Sequence, residues 1–368
     1  MSESVRARSI SERPVEEMAL RFHWRMLQGG DRPGTGPSSE RVDRAAALPD
    51  LEAQIDFCRR AEECRIDSLL VDINYGKPDP MVLSLALGRM TEKIKFMVAY
   101  RPGLMSPTLF VQQVNTCSAL TGGRITLNIV SGHSPKEQRY YGDFLSHDER
   151  YERTDEFLSV CHAFWKRNGA VNFDGKYYRV EEGQLNTPFV SEERTRPEIY
   201  LGGSSEQSRN VALKHADCLV RFADAPKKVK EQIRPVLESG TEVGLRLSVI
   251  TRPTRKEALG AARALIESAP IESRRADEKR FVTGSDAVSM KKTFELAQDE
   301  WLTPCLWTGA VRSFGAPALA LVGTPEEVAS AILEFEEAGV SQFILAGWPK
   351  LDEMIIFGKE VIPLLSAD

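Results

Sequence analysis

The chain contains 368 residues, of which 42% are hydrophobic, and its 48 Lys and Arg against 53 Asp and Glu leave a net charge of −5. This mildly acidic balance, without a long basic run, argues against nucleic acid as a partner. The longest apolar stretches, such as Ala316 to Val322, are too short to cross a bilayer, so no membrane partner is expected. A chain of this length can form two average domains or one large barrel.

The N-terminal residues and the cysteines are typical of a cytoplasmic protein. Residues 1–17 mix Arg, Ser and Glu and lack the apolar segment of a signal peptide. The six cysteines show no Cys-x-x-Cys spacing, so we expect reduced thiols that mostly pack in the core. We predict a flexible extension over residues 1–19 and a folded domain over residues 20–368.

Short apolar runs alternate with longer amphipathic stretches from Leu20 onward. The runs predict strands at residues 20–26, 68–72, 95–101, 124–130, 198–202, 218–222, 245–251 and 342–346. The stretches between them predict helices at residues 51–64, 80–90, 107–120, 149–165, 206–215, 226–239, 255–267 and 325–338. Thr324-Pro325 before the last of these helices and Gly339 after it are typical helix boundaries.

Eight strand–helix units are the number found in a (β/α)₈ barrel, and continuously apolar strands suit a buried parallel sheet. A doubly wound sheet is the competing fold class. It is disfavoured because no Gly-x-Gly-x-x-Gly turn follows the first strand; Gly29-Gly30-Asp31 instead leads into a Pro/Gly/Ser-rich loop. No linker divides the chain, so we predict a single-domain α/β TIM barrel.

Two insertions interrupt the predicted alternation. The first covers residues 169–197 and contains Asp174-Gly175, which predicts a β-hairpin. The second covers residues 268–316 and contains Trp301, Trp307 and Arg312. Long excursions inside a compact domain are usually functional, as lids or binding elements.

Candidate site residues lie where the predicted strands end, because the loops after the strands form the active face of such a barrel. Asp72, Arg101 and Asn128 close the second, third and fourth strands. Gly202-Gly-Ser-Ser205 precedes a helix whose free N–H groups and dipole favour an anion, which predicts a phosphate site at Gly203, Ser204 and Ser205. Helix capping by Ser204 or Ser205 is compatible with that role.

Other polar residues permit two interpretations. Ser146-x-x-Glu149 is a capping box, which leaves Arg150 and Tyr151 on the first turn of a helix unexplained. Glu137 lies in a charged segment and is expected to be solvated.

The seventh strand carries an unexpected charge. Its alternation places Arg246 and Ser248 opposite the apolar face, so Arg246 requires either a structural ion pair or an anionic ligand. The five histidines show no ligand spacing, so no metal site is predicted, and no Gly-x-Ser-x-Gly elbow supports a hydrolase.

The chain resembles the bacterial-luciferase-like flavin monooxygenases, and especially their alkanesulfonate and pyrimidine branches. The resemblance runs from about Leu20 to Leu365 and rests on Ile94–Pro102, Ser106–Thr108, Gly123-Arg124, Asn128–Gly132, His147–Glu152, Phe173–Lys176, Pro197–Ser205, Arg246–Arg252 and Gly323–Leu365. It implies a (β/α)₈ barrel that binds reduced FMN supplied by a separate NAD(P)H:flavin reductase. It also implies a homodimer or homotetramer.

The resemblance assigns roles to single positions. Asp72 and Ile73 correspond to the pair that lines the isoalloxazine, and Asn128 and Glu137 to residues that contact the flavin. Arg150, Tyr151 and Ser205 correspond to residues that hold the ribityl phosphate, whereas Arg246 corresponds to an active-site arginine. Arg312 corresponds to a mobile-loop arginine that closes over flavin and substrate. The chain departs from the sulfonate branch around the substrate, with Ser248 in place of His, Trp348 in place of Tyr, and no counterpart of an active-site Cys.

These features predict a two-component monooxygenase that uses O₂ and transfers one oxygen atom through a peroxyflavin to a small organic substrate. We expect Arg246, Arg312, Ser248 and Trp348 at the reaction site. The substrate would be a sulfonate, a sulfone, or an amine or amino-acid-derived metabolite oxidised at nitrogen. Two alternatives stay open: an F420-dependent hydride-transfer enzyme on the same fold, and a non-catalytic flavin-binding accessory subunit.

Overall fold

The fold is a parallel barrel whose strands alternate with surrounding helices. The computed structural model describes residues 19–28, 48–132, 134–267 and 282–365. The predicted extension over residues 1–19, the loop after Gly29 and part of the second insertion lie largely or wholly outside the described residues. No helix in the described ranges is long and apolar enough to span a membrane.

The strands and helices follow one another as the hydrophobic pattern predicts, with additions in both insertions. The strands are β1 (Arg21–Arg25), β2 (Ser68–Val71), β3 (Lys95–Tyr100), β4 (Ile125–Ile129), β5 (Val171–Asp174), β6 (Arg179–Gly183), β7 (Ile199–Gly202), β8 (Cys218–Phe222), β9 (Glu242–Thr251), β10 (Leu306–Trp307), β11 (Ala320–Gly323) and β12 (Gln342–Gly347). The helices are α1 (Leu51–Glu63), α2 (Pro80–Gly88), α3 (Pro107–Thr121), α4 (Pro135–Tyr140), α5 (His147–Lys166), α6 (Glu206–His215), α7 (Pro226–Leu237), α8 (Arg255–Glu267), α9 (Val288–Leu296), α10 (Val311–Phe314), α11 (Pro325–Glu337), α12 (Lys350–Ile356) and α13 (Ile362–Leu365).

Eight of these strands close into the predicted (β/α)₈ barrel. They pair in parallel in the order β1-β2-β3-β4-β7-β8-β9-β12, and β12 pairs back with β1. The helices pack an extended apolar core against the outer face of this ring. The predicted hairpin is confirmed as the antiparallel pair β5–β6, with Asp174 opposite Arg179.

Helix boundaries follow the predicted signals. Thr324 and Glu327 form a capping box at the start of α11, and Gly339 beyond its end adopts a positive φ of 101°. Ser146 and Glu149 form the second predicted capping box, so α5 begins at His147, two residues before the predicted start. All six cysteines are free and buried, as expected.

Strand β11 was not predicted, and it changes the top of the barrel. The lower half of β9 pairs with β8 at residues 242–246, whereas its upper half pairs with β11 at residues 248–251. β11, which follows the second insertion, therefore lies between the sixth and seventh barrel strands, β8 and β9, at the upper end of the barrel. The apolar run Ala316–Val322 was the sequence signal for β11, but its length alone does not distinguish a strand from a buried turn.

The barrel interior is layered. At its lower end His23 lies between the Ser68 hydroxyl, at 2.8 Å from Nδ1, and Gln342 Oε1, at 2.9 Å from Nε2. The next layer is an apolar cluster formed by Leu70, Met97, Ala99, Tyr200, Cys218, Val220 and Ile344. These two layers fill the barrel from below, so a ligand can enter only at the carboxyl ends of the strands.

Candidate active site

A cavity opens at the carboxyl ends of the barrel strands. Every barrel strand, or the residues that directly follow it, contributes to its wall, and α9, α10 and the residues beside them supply a further side. Seven of the predicted site residues line the cavity: Asp72, Ile73, Asn128, Tyr151, Gly203, Arg246 and Ser248. The cavity thus lies at the end of the barrel where the site was predicted.

Asp72 lies at the centre of a cluster of cations on one wall. Its Oδ2 accepts a 2.6 Å hydrogen bond from Arg25 Nε and lies 3.4 Å from Lys77 Nζ, and its Oδ1 lies 3.4 Å from Arg246 Nη2. Burial alone would raise the pKa of the Asp72 carboxyl, but the three cations outweigh it and hold this pKa well below its usual range. One carboxylate therefore organises three basic side chains.

Arg246 has the structural ion pair that was one of the two explanations for its strand position, and an anionic ligand stays a prediction. It forms the ion pair with Asp72, and 24% of its side chain remains open. Leu245, Leu247 and Val249 pack on the outer face of β9, as the alternation predicted. Burial lowers the pKa of Arg246, and the nearby Asp72 opposes that effect.

A buried ion pair joins Arg101, which lines the cavity after β3, to Glu137 in α4. Arg101 Nη2 donates to Glu137 Oε1 at 2.9 Å and to Ile73 O at 3.3 Å. Glu137 also accepts from the backbone N–H of Tyr75 at 3.3 Å. The expectation that Glu137 is solvated is wrong: it is 5% exposed, because α4 turns it inward onto Arg101.

Asn128 lines the cavity from β4. Its side chain is 6% exposed, and Oδ1 is buried without a hydrogen-bond partner among the described residues. Arg101 Nε and Nη1 are likewise buried and unpaired within that part of the chain. Buried polar atoms nearly always have partners, so these unpaired atoms beside the cavity indicate an ordered water or a ligand.

The N-terminus of α6 is the place where a phosphate site was predicted. Ser205 caps the helix, with its Oγ accepting from Ser208 N at 3.1 Å, while Ser204 Oγ is buried and unpaired within the described ranges. Gly203 has a φ of 153°, and a Cβ there would lie 2.5 Å from Ser208 Cβ and 3.1 Å from the Tyr151 hydroxyl. Only a glycine lets the backbone approach this closely.

Tyr151 and Arg150 occupy the first turn of α5 and are both buried. Burial raises the pKa of Tyr151, while the nearby hydroxyls of Ser205, Ser208 and Ser131 oppose the rise. Arg150 donates to Ser131 O at 2.8 Å, to Leu145 O at 2.9 Å and to Asp286 Oδ2 at 2.6 Å. Arg150 therefore ties α5 to the segment before α9.

The cavity wall is strongly basic. Its lining contains Arg25, Lys77, Arg101, Arg221 and Arg246, whereas Asp72 is the acidic residue among the described residues that line it. A concave site lined by more cationic than anionic side chains attracts anions. In the described part of the chain, no group of three or more His, Cys, Asp or Glu is placed to hold a metal ion.

The comparison with protein families agrees with this architecture. Residues 22–342 match the model of the luciferase-like monooxygenase family. The chain belongs to that family. It is therefore an enzyme of a flavin-dependent monooxygenase class, as the resemblance predicted.

Several solved protein structures share the fold at low sequence identity. EDTA monooxygenase (EmoA) from Chelativorans sp. BNC1 is 22% identical, with a TM-score of 0.75 over 94% of this chain and 93% of that one. DmoA from Hyphomicrobium sulfonivorans is 21% identical, with a TM-score of 0.74 over 95% and 88%. The coenzyme F420-dependent tetrahydromethanopterin reductase from Methanopyrus kandleri is 17% identical, with a TM-score of 0.63 over 95% and 100%.

Three residues that were predicted at the reaction site lie at or beyond the margin of the cavity. Ser248 lines the cavity but donates its hydroxyl to Pro317 O at 2.8 Å. Trp348 is buried against Phe314, with ring centroids 6.2 Å apart. Arg312 is half-buried in α10, where its Nε donates to Ala297 O at 3.3 Å. Neither Trp348 nor Arg312 is among the described residues of the wall.

Several lining residues were not predicted as site residues. Lys77 follows β2 without a distinctive motif, and Ser289 and Met290 belong to α9. Arg25 lies on β1, and Arg101, which was noted only as the residue that closes the third strand, directly follows β3. Such an inward-facing charge on a barrel strand is the signal that could have found Arg25 and Arg101.

Proposed function

We propose that this enzyme is a two-component monooxygenase that binds reduced FMN from a separate NAD(P)H:flavin reductase. It would use O₂ to place one oxygen atom in a small organic substrate. The observation that carries this proposal is the cavity itself. It contains a close-packed anion cradle at Gly203 and, on another part of the wall, the unpaired amide of Asn128.

The residues present fit a flavin mononucleotide. The N-terminus of α6, the unpaired Ser204 hydroxyl and the Tyr151 phenol supply donors for a phosphate. Asp72, Ile73 and Asn128 line the part of the wall that would face the isoalloxazine. The reduced flavin supplies the activation of oxygen; the protein must position it and exclude water.

The apolar part of the wall would perform that exclusion. Met290 from α9 and Phe314 from α10 face the cavity from the second insertion. They lie beside the cationic wall, where Arg246 keeps part of its guanidinium open. We therefore assign Arg246 to an anionic group of the substrate or to charge that develops near the flavin, with Arg312 in the segment that would close the site.

The basic lining favours substrates that carry a negative charge. A sulfonate, a sulfone-derived acid, or an amino-acid-derived metabolite oxidised at nitrogen would each suit a wall with five cations and one carboxylate. Ser248 is hydrogen-bonded to the backbone rather than free to act on substrate in this conformation. For that reason we place specificity with Arg246 rather than with Ser248.

The expected assembly is a homodimer or homotetramer in the cytoplasm. Exposed apolar side chains on α2 and α3 support self-association, among them Val82 at 69% and Leu109 at 45% exposure. The six buried thiols, free of disulfides, support a reducing compartment.

An anaerobic titration tests the function. The purified enzyme is mixed with reduced FMN, oxidised FMN, reduced riboflavin and F420, and binding is followed by fluorescence and absorbance. We expect reduced FMN to bind more tightly than riboflavin, because the cradle recognises the phosphate. With ¹⁸O₂ and a panel of small carboxylates and sulfonates, one labelled oxygen atom should enter a substrate.

Two outcomes would replace this proposal. Preference for F420, with hydride transfer that needs no oxygen, would make the protein a deazaflavin-dependent oxidoreductase. Binding of flavin without any oxygen transfer, or no binding at all, would favour an accessory subunit.

A further inference from the structure

We propose that Asp286 is a positioning residue, which holds one wall of the cavity in place through Arg150. The wall is the first turn of α9, and the arginine belongs to the first turn of α5. The inference rests on the proposed function, because this wall would cover the bound flavin. It also gives the Arg150 side chain a role other than contact with the ribityl phosphate.

Each nitrogen of the Arg150 guanidinium is engaged by a protein acceptor. The residue is 2% exposed, and it donates from Nε to Ser131 O at 2.8 Å, from Nη1 to Leu145 O at 2.9 Å and from Nη2 to Asp286 Oδ2 at 2.6 Å. The two carbonyls follow β4 and precede α5, so they fix the guanidinium on the barrel. Arg150 is not among the described residues that line the cavity. It is therefore placed to hold Asp286 rather than a ligand.

Asp286 lies where the second insertion joins the cavity wall. Ala287, which directly follows it, lines the cavity together with Ser289 and Met290 in the first turn of α9. Ser285, which directly precedes it, is buried, and its Oγ accepts from Ala287 N at 3.2 Å. A displacement of Asp286 would therefore move the three lining residues, because all of them follow closely in the chain.

The start of α9 has no side-chain cap within the described residues. Its N-cap position is Ala287, whose methyl group cannot accept from the free N–H groups of the first turn. Packing into the extended apolar core begins at Met290 and continues at Phe294. The ion pair at Asp286 is therefore placed to fix the turn that precedes these core contacts.

The phosphate cradle is served by the neighbouring residue of α5. Tyr151 lines the cavity, and its hydroxyl would lie 3.1 Å from a Cβ at Gly203. Consecutive residues of an α-helix point about 100° apart around its axis. Tyr151 can therefore face the cradle while Arg150 faces Asp286, which separates binding of the phosphate from support of the wall.

Hydrogen exchange of the flavin-free protein tests the ion pair itself. Amide exchange in residues 287–297 is followed by mass spectrometry for wild type, Asp286→Ala, Asp286→Glu and Arg150→Met. We expect Asp286→Ala and Arg150→Met to speed exchange at the start of α9 by about tenfold, because local opening costs less without the ion pair. Asp286→Glu keeps the carboxylate and should recover most of the protection. Wild-type exchange in folded Asp286→Ala would overturn the proposal.

Asp217→Ala is the matched control. Asp217 pairs with Arg196 at 2.7 Å, and its side chain is 19% exposed against 25% for Asp286, but it lies at the amino ends of β7 and β8, opposite the cavity. We expect it to change exchange in α9 by less than about twofold. Equally fast exchange in Asp217→Ala and Asp286→Ala would indicate global loosening and overturn the proposal. So would a double variant of Arg150→Met and Asp286→Ala in which the two effects add.

Anaerobic titration with reduced FMN and reduced riboflavin tests the consequence for the flavin. At a temperature where every variant is folded, Asp286→Ala and Arg150→Met should weaken both ligands by about 5- to 20-fold and by the same factor, because the wall loosens while the cradle is untouched. Asp286→Glu should restore both affinities, and Asp217→Ala should keep them at the wild-type level.

The two ligands also distinguish the alternatives. A loss confined to FMN in Arg150→Met would assign Arg150 to the phosphate and overturn the proposal. A wild type that binds neither flavin would overturn the proposed function, whereas the exchange experiment would still decide whether Asp286 holds α9 through Arg150.

Discussion

Asp72 illustrates how a single residue can organise an active site. Its carboxylate contacts Arg25, Lys77 and Arg246, which come from a strand, a loop and another strand on different parts of the ring. Its side chain is 16% exposed, so water screens these contacts only partly. Without that negative charge, three cations would face one another around the cavity.

The first prediction concerns this charge. Asp72→Asn should lower the free energy of unfolding by about 3 kcal/mol, because removal of one partner leaves buried charges uncompensated. Urea unfolding followed by circular dichroism measures the loss. Added sulfate should recover part of it in the variant, since an anion can replace the carboxylate between the cations.

Asp143→Asn is the control, because Asp143 pairs with Arg153 outside the described cavity wall. It should lose stability without gaining a specific response to sulfate. If Asp72→Asn and Asp143→Asn respond equally to sulfate, the charge cluster at the cavity is not an anion site.

At the scale of elements, the turn between β7 and α6 determines the shape of the proposed phosphate cradle. Gly203 lies against the Ser208 and Tyr151 side chains, with a backbone conformation that other residues rarely adopt. The adjacent Gly202 is different: a Cβ there would meet nothing within 4 Å. Two neighbouring glycines therefore carry different constraints.

Gly203→Ala is expected to lower the free energy of unfolding by about 1–3 kcal/mol, through backbone strain and the displacement of Ser208 and Tyr151. Gly202→Ala should remain within about 0.5 kcal/mol of wild type. Thermal or urea unfolding of both variants measures the difference. Equal stability of the two variants would mean that the turn relaxes freely.

The wedge of β11 beside β9 is an element that local patterns did not reveal. Four residues, Ala320–Gly323, pair with β9 only because β8 ends its pairing with β9 at Arg246. A short apolar run is equally compatible with a strand or a buried turn, and the choice depends on which edge lies next to it. The same wedge brings Met290 and Phe314 to the cavity.

At the scale of the whole molecule, a buried carboxyl makes stability depend on pH. Glu353 is fully buried and contacts the Thr251 N–H and, at 2.8 Å, Arg252. Burial raises its pKa to about 7, although both contacts oppose the rise. Between about pH 4.5 and 7 the folded chain therefore keeps a proton that the unfolded chain has released, so stability falls as pH rises through that window.

Glu353→Gln should remove this dependence. Wild type is expected to lose up to about 3 kcal/mol between pH 4.5 and 7 through this group, whereas the variant should show a flatter profile. Unfolding free energies at pH 5 and 8 for wild type, Glu353→Gln and the exposed Glu336→Gln measure the effect. A variant with the wild-type slope would assign the dependence to other groups.

The sequence by itself determined the fold class and the side of the barrel that carries the site. Continuously apolar strands and amphipathic helices in regular alternation specify a (β/α)₈ barrel, and the ends of strands such as β2 and β4 then place Asp72 and Asn128 at the mouth of the cavity. The Gly-Gly-Ser-Ser segment predicted an anion cradle from its own residue types and from the helix that follows it. The fold prediction succeeded because each of its elements depends on neighbouring residues only, whereas the anion cradle stays a prediction.

The tertiary structure decided which residues meet. Arg25 and Arg246 reach Asp72 because closure of the ring brings β1, β2 and β9 together, although the chain separates Arg246 from Asp72 by 174 positions. Glu137 is buried because α4 folds it onto Arg101, which no helical pattern in a six-residue charged segment could indicate. Ion pairs across a barrel depend on the distances between strands once the barrel has closed. A local sequence pattern cannot predict those distances.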